Sequence, residues 1–153
     1  AISSAITASI MLAIEVGILL IFMVAFQFVP PITILLLPLI LGLQFMLVVG
    51  VCLPLSVLNV KFKDTEFIWG VVLSAGFFLT PIFYQFDMLP DYIQNILQFS
   101  PMVQILTMSH HVVLYGTLPS INSVLYAVGS ISVITGIGYL IFRKYQAKIV
   151  EEV

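Results

Sequence analysis

The chain has 153 residues, of which 61% are apolar and only 8% are charged, with a formal net charge of -2 at pH 7. So few charged side chains cannot cover the surface of a soluble fold, which excludes a water-soluble enzyme or binding domain. Five basic against seven acidic residues exclude a nucleic-acid interface, and one cysteine excludes a disulfide framework. We expect that cysteine, Cys52, to be a small buried apolar residue.

Long uncharged stretches predict helices that cross a membrane. Residues 1–60 carry one charge, Glu15, and residues 67–86 and 92–142 carry none. About 20 apolar residues are enough to cross the hydrocarbon core of a bilayer as a helix. Runs such as residues 34–37 do not alternate between apolar and polar positions as membrane β-strands do. The predicted fold class is therefore an all-α integral membrane protein.

Four transmembrane helices are predicted, over residues 6–28, 32–60, 65–84 and 121–142. The first ends at Pro30 and Pro31, because proline cannot continue a helix. The second exceeds one bilayer thickness and contains Pro38 and Pro54, which predicts a tilt or a kink. Because the chain begins with Ala in an apolar stretch, without a basic segment before it, we expect a fragment of a longer protein and no signal peptide.

The basic residues predict the orientation. They lie in two segments only: Lys61 and Lys63 between the second and third helices, and Arg143, Lys144 and Lys148 after the fourth. With four spans, both segments fall on the same side of the membrane, and the positive-inside rule places that side in the cytoplasm. The tail at residues 143–153 is then cytoplasmic.

Residues 85–120 are predicted to face outward and to contain two short helices. Residues 92–99 have the apolar spacing of an amphipathic helix, with Pro90 suited to its first turn. A second helix is expected at residues 102–115, ending at Gly116. Both are too short to cross the membrane, so we interpret them as re-entrant or interfacial helices.

Few residues have the chemistry of a reactive site. Glu15 in the first span could face a conduit or bind a cation, or be a protonated or hydrogen-bonded carboxyl at a helix contact. The adjacent His110 and His111 would point about 100° apart on a helix, so we expect polar contacts near the outer interface and no metal site. No phosphate-binding loop motif occurs, so another polypeptide would have to bind any ATP.

Aromatic residues cluster near the outer ends of the predicted helices: Phe77, Phe78, Phe83, Tyr84, Phe86, Tyr92 and Phe99. They are typical of an interfacial aromatic belt. Alternatively, their flat faces line a conduit, where they would stack against sugar rings with few fixed hydrogen bonds. The sequence leaves both hypotheses open.

The densest charged segment contains Lys61, Lys63, Asp64 and Glu66. It has the composition of a cytoplasmic turn, with Asp64 as the N-cap of the third helix and Glu66 favoured by the helix dipole. It could also form a docking contact with a cytoplasmic partner. The two interpretations are compatible.

Several motifs together suggest a family. The run Asn59-Val60-Lys61-Phe62-Lys63-Asp64 precedes Phe77-Phe78-Leu79-Thr80-Pro81-Ile82-Phe83-Tyr84, and Met88-Leu89-Pro90 and Ser100-Pro101-Met102 follow. In this order they resemble permease subunits of type-2 ABC exporters, within the polysaccharide and polyol-phosphate export branch for O-antigen, capsule and teichoic acid. Ser100 departs from the usual asparagine, and Lys63 stands where arginine is common.

The resemblance implies the permease half of an ATP-driven exporter of a lipid-linked polymer, with the last four of six spans present. It implies a homodimer in the cytoplasmic (inner) membrane, bound to a separate ATPase that holds the ATP and Mg, and no cofactor in this chain. The residues at 61–66 become candidate ATPase contacts, and the aromatic cluster a candidate conduit. Three alternatives stay open: a type-2 permease for a drug or lipid, a membrane-embedded glycolipid-modifying enzyme, and a scaffold subunit.

Overall fold

The computed structural model of the chain describes residues 2–27, 31–62, 64–80 and 88–151. Six α-helices run in the order α1 Ile2–Ala25, α2 Leu37–Lys61, α3 Thr65–Leu79, α4 Asp91–Leu97, α5 Pro101–His110 and α6 Ile121–Glu151. A 3-10 turn, Ile32–Leu36, leads into α2, and a π-helical turn, His111–Tyr115, continues α5. No strand occurs within these described ranges, which confirms the all-α prediction.

Two described helical stretches are long and apolar enough to cross a membrane, Ile32–Val60 and Ile121–Tyr145. They correspond to the predicted second and fourth spans. The predicted first and third spans correspond to the shorter apolar stretches Ile10–Ala25 and Thr65–Phe78. At 1.5 Å per residue, α3 is only about 22 Å long, less than the hydrocarbon thickness. Residues 81–84 of the predicted third span lie outside the described residues, so the count of four stays a prediction.

The last helix is longer than predicted. It was expected to end at residue 142, but α6 continues through the basic segment to Glu151. Residues 143–151 contain no Gly or Pro and include Arg, Lys, Gln, Ala and Glu, which favour the helix. The helix therefore has no local reason to end at the predicted membrane boundary.

The two short helices of the outer segment are confirmed. Pro90 occupies the position before α4, and Pro101 lies in the first turn of α5, where a missing N–H costs nothing. Gly116 ends the π-helical turn with a left-handed φ of 63°. A Cβ there would come within 3.0 Å of the Pro31 Cβ, so the turn and the close approach both favour glycine.

The core of the described chain is formed by α5 and the π-helical turn packed against α2 and α6. Its buried residues are Met23, Leu37, Ile40, Ile105, Met108, Val112, Val113, Ala127 and Ile131. The predicted outer segment is therefore a central packing element and not only a surface cover. Whether it re-enters the membrane stays a prediction.

Helices α2 and α6 form the main helix pair and run parallel to each other. Met46 pairs with Thr135, and Gly50 with Gly138, so residue numbers rise together along the two helices. The basic segment at the end of α2 and the one near the end of α6 consequently lie at the same end of the bundle. This agrees with the same-side prediction made from the basic residues alone.

Long-range hydrogen bonds between a hydroxyl and a backbone carbonyl join elements of the described chain. The Thr33 hydroxyl donates to the Val112 carbonyl at 2.8 Å, and the Thr135 hydroxyl donates to the Met46 carbonyl at 3.1 Å. The Tyr126 hydroxyl donates to the Phe99 carbonyl at 2.9 Å. Such bonds suit a protein in lipid, where water cannot solvate a polar group between helices.

The expectation for Cys52 is wrong. Its side chain is exposed on α2 rather than buried in the bundle. A membrane helix carries apolar residues on its lipid face as well as on its packed face, so an apolar neighbourhood does not imply burial within the protein.

The core makes a prediction about stability. Met108 is 1% exposed and Leu39 is 65% exposed. Since an unfolded helix would still lie in lipid, removing a core side chain costs mainly the cavity it leaves, so we expect Met108→Ala to lower the free energy of unfolding by about 2 kcal/mol. Leu39→Ala, the control, should lower it by less than about 0.5 kcal/mol. Unfolding in mixed micelles measures both, and equal losses would contradict the assigned core.

Candidate functional site

The end of the bundle that carries α4 and α5, which is predicted to face outward, presents aromatic rings of the predicted cluster. Tyr92 lies in the first turns of α4 and is 67% exposed, and Phe99 lies between α4 and α5 and is 62% exposed. Neither ring is part of the buried core. They are therefore accessible to lipid, to another subunit or to a passing ligand.

Tyr126 holds Phe99 in place. The two rings meet edge to face with centroids 5.9 Å apart, while the Tyr126 hydroxyl bonds to the Phe99 carbonyl. The sequence analysis missed Tyr126, which lies in the second turn of α6. The position of a tyrosine near the outer end of a predicted span was the signal that could have suggested it.

Two side-chain amides stabilise the backbone around these rings by hydrogen bonds. The Gln94 side-chain amide donates to the Leu89 carbonyl at 2.7 Å, just before α4. The Gln104 side-chain amide donates to the Gln98 carbonyl at 2.7 Å, in the turn between α4 and α5. Together with the Tyr126 bond, they fix the path of the backbone on both sides of the exposed rings.

The remaining aromatic candidates are only partly described. Phe77 and Phe78 lie in the last turn of α3, both exposed, with rings edge to face at 5.8 Å. Phe83, Tyr84 and Phe86 lie outside the described residues. The Phe77–Phe78 pair and the Phe99–Tyr126 pair share no member, so the structure does not join the predicted cluster into one site.

Of the two adjacent histidines, His111 makes a polar side-chain contact, and the location of the pair near the outer interface stays a prediction. His111 Nδ1 lies 2.9 Å from the Thr117 hydroxyl, and its ring is tilted against the Tyr115 ring at 5.6 Å. Partial burial, and then the neighbouring His111, lower the pKa of His110 below its ordinary value of 6.5. Within the described ranges, no three His, Cys, Asp or Glu side chains come together to hold a metal ion.

Glu15 occupies the middle of α1 with an exposed side chain. It therefore does not lie at a buried contact between helices of the described chain. A carboxyl group on an apolar helix is costly to leave in hydrocarbon, so it requires water or protein against this face. A carboxyl that faces a conduit or binds a cation stays a prediction, and so does a protonated or hydrogen-bonded carboxyl at a contact with a helix outside the described chain.

The charged turn differs locally from its prediction. Asp64 occupies the N-cap position of α3, but its side chain makes no capping hydrogen bond. Its backbone is helical, with φ -86° and ψ 0°, whereas a capping carboxylate normally needs an extended backbone. Instead, the Thr65 hydroxyl donates to the Phe62 carbonyl at 2.7 Å.

Where the structure describes them, the charged side chains of this turn are exposed and can contact another protein. The side chains of Asp64 and Glu66 are exposed. Lys61 is the last residue of α2, and Lys63 lies outside the described residues. The turn therefore presents carboxylates at the end of the bundle that also carries the basic segment of α6.

Comparison with known proteins decides the family. Residues 1–114 match the family described as ABC-2 type transporter. This chain belongs to that family. The family resemblance drawn from the motifs is thereby confirmed, and the alternative of a glycolipid-modifying enzyme loses its support.

Two curated relatives of this ABC-2 chain are O-antigen export system permease proteins RfbA from Klebsiella pneumoniae. One is 31% identical over 115 residues, which cover 74% of this chain and 44% of the relative. The other is 28% identical over 109 residues, which cover 71% of this chain and 41% of the relative. The matched region thus spans less than half the length of either relative.

Proposed function

We propose that this ABC-2 chain is part of the permease half of an ATP-driven exporter that moves a lipid-linked polysaccharide or polyol-phosphate polymer across the cytoplasmic membrane. The observation that carries the proposal is the similarity to two O-antigen export permeases within a transporter family. The active unit would be a homodimer bound to a separate ATPase, which would hold ATP and Mg.

The chemistry of the outer segment suits a polymer in transit. From residue 92 to residue 142 the chain has no charged side chain, so this region offers no ion pair that would hold a substrate. The exposed rings of Tyr92 and Phe99 offer flat apolar faces instead. Stacking of this kind permits a sugar chain to slide, since it depends little on the position of individual hydroxyl groups.

The proposed ATPase contact is the charged turn at residues 61–66. The exposed carboxylates of Asp64 and Glu66 lie where α2 meets α3, and a motion of a bound ATPase would act directly on both helices. Glu15 is a further candidate for facing the conduit. These roles rest on position and exposure.

Transport itself provides the main test. Vesicles that contain the full-length permease, its ATPase and a lipid-linked glycan should move the glycan to the opposite face when ATP is supplied. An ATPase whose phosphate-loop lysine is replaced is the control and should abolish the movement. ATP-dependent movement of a drug or simple lipid, with no movement of glycan, would assign the chain to the alternative class of permease.

The aromatic proposal has its own prediction. Because Tyr92 is exposed, Tyr92→Ala should leave the yield of folded protein unchanged and lower glycan transport several-fold. Tyr139→Ala removes an exposed ring from the middle of α6, away from α4 and α5, and is the matched control. Equal effects of both variants on transport would favour a place in the interfacial aromatic belt for Tyr92 over a role in the conduit.

The orientation is tested by labelling with a membrane-impermeant maleimide. In a Cys52→Ala background, single cysteines at Phe62 and Gln146 should react only after cells are permeabilised, because both flank basic segments. A cysteine at Leu118, which is exposed in the outer segment, should react in intact cells. Reaction of positions 62 and 146 from opposite faces would refute the topology.

A further inference from the structure

Packing along the α2–α6 pair is strongly unequal. Above Gly50 and Gly138, toward the outer end, the pair contributes Leu37, Ile40, Ala127 and Ile131 to the core. We call this part the outer half. Below the two glycines lie residues 51–60 of α2 and 139–145 of α6, the inner half, where no described side chain is buried.

At the boundary between the halves, α2 lacks one helical hydrogen bond. Pro54 lies inside the helix and has no N–H, so it cannot donate to the carbonyl of Gly50 one turn earlier. An α-helix that lacks one of its hydrogen bonds bends more easily at that turn. The helix is therefore less stiff at this turn, which lies in the most extensively packed helix pair of the described chain.

The partner helix meets this turn of α2 without a side chain. Gly138 packs directly on the Gly50 carbonyl oxygen, and a Cβ on Gly138 would overlap that atom. A Cβ on Gly50 would come within 2.8 Å of the Thr135 Cα. Because no side chain separates the two backbones at this point, one helix can rotate against the other. The Cα–H groups of Gly138 can partly satisfy the Gly50 carbonyl, which lacks its helical donor.

The contact between Gly50 and Gly138 has a hydrogen bond on its outer side and an open groove beside it. On its outer side, the Thr135 hydroxyl bonds to the Met46 carbonyl, one turn before Gly50. Beside the two glycines, an open apolar groove of about 300 Å³ is lined by Pro54, Leu58 and Trp69 and by the facing part of α6. Because no described side chain of the inner half is buried, this groove leaves space for the inner half of α2 to move.

We propose that Gly50, Pro54 and Gly138 form a bending joint, at which the inner half of α2 moves relative to α6 while the outer half stays fixed. The joint would transmit a displacement of the charged turn, at the end of α2, into the bundle. Its role in transport rests on the function proposed above, whereas the bending itself is a property of this chain.

Spin-label distances in the full-length permease test the joint. In a Cys52→Ala background, an inner pair of labels replaces Val60 and Tyr145, and an outer pair replaces Leu39 and Leu125; all four are exposed positions. The permease is reconstituted in lipid nanodiscs with its ATPase, and labelled copies are diluted with unlabelled ones. We expect a broad inner distribution that changes with ATP, and a narrow outer distribution that does not.

The decisive variant is Pro54→Ala, which restores the donor to the Gly50 carbonyl. It should narrow the inner distribution, leave the outer one unchanged and lower transport several-fold. Pro38→Ala is the matched control, because Pro38 lies in the first turn of α2, where proline is well tolerated, and far from the Gly50–Gly138 contact. It should behave as the wild type in both measurements.

Equal widths for the inner and outer pairs in the wild type, or an unchanged inner width in Pro54→Ala, would overturn the joint. A narrowed inner distribution with full transport would also overturn it, because the bending would then not be used. If the wild type moves no glycan, the proposed function fails, and the distance measurements still decide whether α2 bends here.

Discussion

The structure depends on one constraint, which is that backbone polar groups within a bilayer must find partners inside the protein. Helices satisfy this requirement almost everywhere in the described chain. At two interruptions of the helical pattern, a group from another element lies against the affected backbone. Thr33 bonds to the carbonyl of Val112 in the π-helical turn, and Gly138 packs against the carbonyl that Pro54 leaves without its helical donor.

The same constraint explains why the helices pack as they do. Lipid is as apolar as leucine, so helix association in a membrane depends on close contact and on hydrogen bonds rather than on expulsion of water. The α2–α6 pair has both, through its paired glycines and the Thr135–Met46 bond. α5 and the π-helical turn complete the packing on the outer side only. The result is a bundle whose described side chains are buried at one end and more exposed at the other.

This asymmetry suits the proposed transport function. The less buried end carries the charged turn, where a cytoplasmic ATPase would bind, and the better-packed end carries the exposed rings of Tyr92 and Phe99. A conduit needs an exit of defined shape together with a part whose conformation changes when ATP is consumed. Its substrate contacts would come from ring faces and hydroxyl groups, because the outer segment has no charged residue after Asp91.

The sequence by itself determined the helical membrane fold, the break at Ser100 and Pro101, the stop at Gly116, the placement of both basic segments at one end and the family. These depend on local chemistry: proline and glycine geometry, uncharged length and the position of lysines. Only the tertiary structure decided that α5 belongs to the core, that Cys52 is exposed, that Tyr126 supports Phe99 and that Gly50 meets Gly138. The physical reason is that lipid-facing and protein-facing positions are equally apolar in a membrane helix, so the hydrophobic pattern identifies the helix and does not show which face packs.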